Sequence, residues 1–74
     1  RSSDLFPNPA NQELFIESSR NAIATVYNLS GEKVSDINLV TGKNLLNTGN
    51  YKTGIYFLKI VSDNKTIVKK FVKN

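Results

Sequence analysis

A chain of 74 residues with ten Lys and Arg, six Asp and Glu, and no His, Cys, Met or Trp makes one small domain. At this size folding buries only about 60–65% of the unfolded surface, which leaves no room for a deep catalytic cleft beside a second lobe. Without Cys or His a disulfide framework is excluded, zinc loses its usual ligands, and a nucleophilic Ser or Cys loses its usual base, so neither an enzyme nor a metal or other cofactor is expected.

The net charge of +4 favours anionic surroundings but says nothing about fold. The longest apolar run, Ile55–Leu58, is too short to cross a membrane. The chain opens on Arg1 without a signal peptide, which reads as a segment of a longer protein. Lack of cysteine assigns no compartment by itself.

Arg1-Ser2-Ser3-Asp4 is polar and reads as a linker remnant, with the folded domain expected over 5–74. Leu5-Phe6 is a short extended lead, stopped by Pro7. In Phe6-Pro7-Asn8-Pro9-Ala10-Asn11 each proline fixes φ and biases its predecessor toward extended geometry, so the segment is a stiff elbow into the next strand. It is too short for polyproline docking.

From there apolar residues recur every second position, the mark of strands. The expected strands are Glu13–Glu17, Ala22–Asn28, Lys33–Val40, Asn44–Asn47, Ile55–Ser62 and Thr66–Val72. A helix at Glu32–Leu39 is the runner-up, weakened by Val34 and Ile37. Turn chemistry separates the runs at Ser30-Gly31, Thr41-Gly42, Thr48-Gly49-Asn50 and Asp63-Asn64. Six or seven short strands at this spacing predict an all-β, immunoglobulin-like antiparallel sandwich. Its inward set is read as Leu14, Ile16, Ala24, Val26, Val34, Tyr56, Leu58 and Ile60, with Ile55–Val61 central.

Thr66–Val72 has no clean parity. Ile67 and Phe71 alternate with Lys69, and Val68 and Val72 with Lys70, so one lysine must interrupt an apolar row or lie along it by its stem. An edge strand fits, since lysines there discourage strand-on-strand aggregation, and an open edge can also be extended by a partner strand. The tyrosines are not interleaved with lysines, so nucleic acid is not an expected partner. Tyr27, Tyr51 and Tyr56 raise sugar stacking, though tyrosines of a small sandwich are more often core or rim. Asn28-Leu29-Ser30 and Asn64-Lys65-Thr66 match the glycosylation pattern at predicted turns, where such residues occur anyway. The acids are scattered singly, with no metal spacing and no carboxylate pair.

Taken end to end, the chain resembles the type A C-terminal sorting domain of the type IX secretion system of Bacteroidota. The motifs are Phe6-Pro7-Asn8-Pro9-Ala10 before Leu14-Phe15-Ile16, then Val26-Tyr27-Asn28, Gly31 and Val34, then Gly54-Ile55-Tyr56 before Leu58-Lys59-Ile60, and a closing Lys69-Lys70-Phe71-Val72-Lys73. Thr48 and Tyr51 stand where that family commonly has Ser and Leu, and Phe6 where Tyr is more frequent.

The resemblance implies a non-catalytic address on an N-terminally fused cargo. The cargo would pass through the periplasm and be taken by the outer-membrane translocon and shuttle proteins to the cell surface or the medium. A sortase-like surface peptidase would act near or before residues 1–4. Under this resemblance Pro7, Asn8, Pro9, Gly31, Gly54 and Tyr56 carry the family pattern, and Lys69, Lys70, Phe71, Val72 and Lys73 are the expected recognition element. The alternative is an immunoglobulin-like stalk or interaction module, or a carbohydrate-binding module, of a secreted protein. Position separates them, because a sorting domain ends its precursor.

Overall fold

The computed structural model describes residues 3–6 and 10–74. Arg1 and Ser2 of the linker, and Pro7, Asn8 and Pro9 of the opening motif, lie outside the described residues.

Seven strands form: β1 (Ser3–Phe6), β2 (Glu13–Ser18), β3 (Ala22–Asn28), β4 (Lys33–Leu39), β5 (Gly42–Asn47), β6 (Gly54–Ser62) and β7 (Lys65–Lys73). The stretch considered for a helix is the strand β4. All strand pairs are antiparallel, in one sheet ordered β1-β2-β5 and another ordered β4-β3-β6-β7. β5 leaves the β3-β4 hairpin to pair with β2, and β6 returns to pair with β3. This is the crossing pattern of an immunoglobulin-like sandwich whose fourth strand lies on the larger sheet.

The core follows from period two. Leu14 and Ile16 of β2 and Leu46 of β5 face Ala24 and Val26 of β3, Leu39 of β4, Tyr56, Leu58 and Ile60 of β6, and Phe71 of β7 across the two sheets. β6 lies inside its sheet, as its apolar run predicted, and β7 is an edge. Within β7 the parity is settled: Ile67 and Phe71 face inward with Lys69 half-buried between them, while Val68 and Lys70 face out.

One inward assignment needs correcting. Val34 is 40% exposed. Val26 pairs with Ser35 and the next residue, Tyr27, pairs with Lys33, so the register slips and Val34 has no opposite number. Val34 also lies an odd number of residues from Ile37 and Leu39, so with Leu39 buried and Ile37 packed against the core it belongs to the outer row of the same strand.

Two glycines of the motif series serve backbone geometry. Gly31 has φ 88° in the β3–β4 turn and Gly54 has φ 151° at the start of β6. A Cβ at either would meet no atom within 4 Å, so the restriction is conformational rather than one of space. Asn28 closes the first turn: its side-chain carbonyl accepts from the Glu32 N–H at 2.9 Å, and its amide donates to the Glu32 carboxylate at 3.0 Å.

Tyr56, just inside β6, donates its hydroxyl to the Lys52 carbonyl at 2.7 Å, the device known in such sandwiches as a tyrosine corner. Its ring lies between Tyr51, with centroids 5.1 Å apart, and Phe71, at 5.5 Å. Tyr51 in turn shares a 2.6 Å hydrogen bond with Ser35 Oγ. Tyr56 is buried among these rings, which leaves it little surface for a sugar to stack on. Replacing Tyr56 by Phe keeps the stack and removes the corner bond, so unfolding in urea should show a loss of about 1 kcal/mol at unchanged m-value.

Candidate functional site

The expected recognition strand is held from two directions. On one side its whole length pairs with β6, from Ser62↔Lys65 to Gly54↔Lys73. On the other, Ala10 makes a parallel bridge to Lys73: its N–H donates to the Val72 carbonyl at 2.7 Å, and its own carbonyl accepts from the Asn74 N–H at 2.8 Å. The closing end of the edge is therefore covered by the segment that follows the proline motif. Sequence reasoning missed this role for Ala10, whose small side chain is fully buried. A large residue there would hold the two chains apart.

Those two bonds fix which peptide groups point outward. Peptide groups alternate along a strand, and the Val72 carbonyl and the Asn74 N–H face away from β6. The N–H and carbonyl of Thr66, Val68 and Lys70 therefore face the same way, and no strand pairs with them among the described residues. Val68 presents a 59% exposed side chain beside them and Lys70 an exposed ammonium.

The five residues of the expected element thus separate into different tasks. Lys70 is exposed, Lys69 and Val72 are half-buried, and Phe71 is wholly inside, stacked on Tyr56. Lys73 is only 8% exposed, and its Nζ donates to the Asn74 carbonyl at 2.9 Å. Gly31, Gly54 and Tyr56 build turns and core, and in the ladder Gly54 and Tyr56 lie opposite Lys73 and Phe71, at the closing end of β7.

Charge around the sandwich is mostly solvated. Arg20 meets Asp63 at 3.2 Å across the β2–β3 and β6–β7 turns, and Lys33 meets Asp36 at 2.8 Å on the outer face. Hydrogen bonds from Lys33 and then Thr25 hold the Asp36 carboxyl below its ordinary range, and the same Lys33–Asp36 bond raises the Lys33 ammonium. Both groups stand in solvent, so the pair adds little to stability. Among the described residues no three His, Cys, Asp or Glu gather to hold a metal, and no helix is long and apolar enough to cross a membrane.

Two buried polar residues escaped the sequence reading. Asn44 of β5 bonds across the β4–β5 connection, and Thr48 donates its hydroxyl to the Asn11 carbonyl at 3.1 Å while its N–H donates to that of Gln12 at 2.9 Å. An Asn inside a strand was the one signal available for the first, since Asn is a poor strand former. Thr48 sits where the resemblance placed a Ser, and its hydroxyl can serve in the same way.

Comparison with known proteins agrees with this architecture. No curated protein matches the chain. The family model described as secretion system C-terminal sorting domain matches residues 4–74, nearly the full length. Domains of that kind are in general non-catalytic, engage the type IX machinery, and direct an N-terminal cargo to the cell surface or out of the cell. With the motif series, the edge-strand ending and the match in agreement, the chain belongs to the family of type IX secretion C-terminal sorting domains.

Proposed function

We propose that the translocon reads this domain by pairing a strand of its own with the open stretch Thr66–Lys70 of β7, with Lys70 and Lys69 supplying charge contacts. The observation that carries this reading is the row of outward peptide groups at Thr66, Val68 and Lys70, which no strand pairs among the described residues, on an edge bridged by Ala10 at its closing end. A preformed edge binds with less ordering cost than a free tail of the same sequence. Phe71 and Lys73 serve from inside: they fix the strand in place, and Val72 anchors its end.

In this reading the cargo reaches the periplasm by its own leader, and shuttle proteins and the translocon carry it outward. A sortase-like surface peptidase then acts near or before residues 1–4, ahead of a domain spanning 5–74. Ser3 and Asp4 open β1, which among the described residues pairs with β2 alone, and the start of an edge strand frays readily enough for a peptidase.

Removing residues 71–74 does not test recognition cleanly, because it also takes away the core residue Phe71 and the Ala10 bridge. Val68→Pro does. The Val68 N–H points away from β6, so proline deletes an outward donor and leaves the β6 ladder intact. A reporter fused to the Val68→Pro domain should stay inside the cell while the isolated domain melts within a few degrees of wild type. Normal export of that fusion rejects the edge as the recognition element.

A further inference from the structure

At the opposite end of β7 from the Ala10 bridge, a slot of about 160 Å³ enters between the sheets. Ala22, Ile60 and Ile67 line it with apolar surface, and Ser18, Arg20 and Lys65 stand around it. Ile60 and Ile67 are direct cross-strand partners, so the slot opens on the inner face of the same edge strand whose outward peptide groups are uncovered. A closed apolar cavity of roughly 150 Å³ takes up a molecule the size of benzene, so one leucine-sized side chain fits. Lys65 makes no ion pair among the described residues, whereas Arg20 is engaged by Asp63.

We infer that this slot and the open edge form one composite site for an extended peptide segment in which an apolar side chain is followed, two positions later, by an acidic residue. The inference rests on the edge reading above and specifies the partner. A strand added antiparallel to β7 runs toward Lys65. Every second side chain of it turns to the inner face, where the last apolar one enters the slot. The next inward side chain, two positions on, then stands opposite Lys65, whose ammonium favours a carboxylate over a neutral group. Backbone pairing supplies affinity and the slot supplies selectivity, as in other strand-addition sites. Antiparallel pairing is also the more stable arrangement.

The probes are two blocked hexapeptides, Thr-Val-Thr-Leu-Thr-Glu and Thr-Val-Thr-Leu-Thr-Gln, titrated against the isotope-labelled 74-residue chain with amide shifts as readout. The acidic peptide should shift the amides of Thr66, Val68 and Lys70 together with those of Ala22 and Lys65, and bind several-fold tighter than its Gln twin. Ala22→Leu fills the slot with apolar atoms and should weaken the acidic peptide about tenfold, the worth of one leucine side chain kept from burial. Lys65→Glu should abolish or reverse the preference for Glu over Gln. Equal binding of both peptides along the edge, unchanged in Ala22→Leu, overturns the slot and leaves the edge reading standing. No shift at the edge with either peptide also overturns it, and export of the Val68→Pro fusion then decides the edge reading separately.

Discussion

Phe71→Ala should remove most of the domain's stability, with a loss of about 3–5 kcal/mol in equilibrium urea unfolding. The side chain is wholly buried, stacked on Tyr56, and comes from β7, an edge strand of its sheet. Neighbouring strands cannot collapse into the space easily, since Ala10 already holds the end of β7 in place. Domains hold roughly 0.05–0.15 kcal/mol per residue, so about 4–11 kcal/mol is available here, and at the low end of that range the loss consumes all of it. Phe71→Leu keeps apolar volume and should cost under about 1.5 kcal/mol. Export should follow stability in this pair, failing in the alanine variant and persisting in the leucine variant. Val68→Pro should break that correlation. A Phe71→Ala domain that stays folded but is not exported would instead make Phe71 a contact of the translocon, contrary to its burial.

The alternation of apolar residues was enough to reveal an all-β chain, the central place of β6 and the edge character of β7, because buried strands of a sandwich cannot hide their period. What alternation cannot reveal is which row faces inward where both carry apolar residues. Val34 falls on the opposite parity to Ile37 and Leu39, and only the packing of the latter two against the core shows which row of β4 is the inner one. That packing depends on the partner strands, which local sequence does not name.

The lysine row of β7 was ambiguous for a related reason. Lys69 and Lys70 each interrupt one parity, and only the pairing of Ile67 with Ile60 and Phe71 with Tyr56 decides between them. The bridge from Ala10 and the slot beside Ala22 were illegible altogether. Both join segments about 40 to 60 positions apart through alanines, whose small size leaves no pattern to detect.

Asn44→Ala should be the second severe lesion, at about 2–4 kcal/mol. The Asn44 amide nitrogen donates to the carbonyls of Val40 at 2.9 Å, Ile16 at 3.1 Å and Gly42 at 3.2 Å, while its side-chain oxygen accepts from the Val40 N–H at 2.9 Å. One side chain thus closes the connection that carries the chain from one sheet to the other. Each buried polar group left unpaired costs about 1–3 kcal/mol. The bond to Ile16 is fully buried and the others are partly reached by water, which places the total near the middle of the possible span. Asn44→Asp separates polar pairing from simple loss of volume. Aspartate has nearly the same shape and still accepts from Val40, but it turns a carboxylate oxygen toward three carbonyl oxygens in a largely desolvated place. It should therefore be at least as damaging as alanine at neutral pH and recover in part on acidification, when the protonated carboxyl can donate to one carbonyl. Near-wild-type stability of Asn44→Asp at neutral pH would show that the side chain fills space there and does not clamp the crossover.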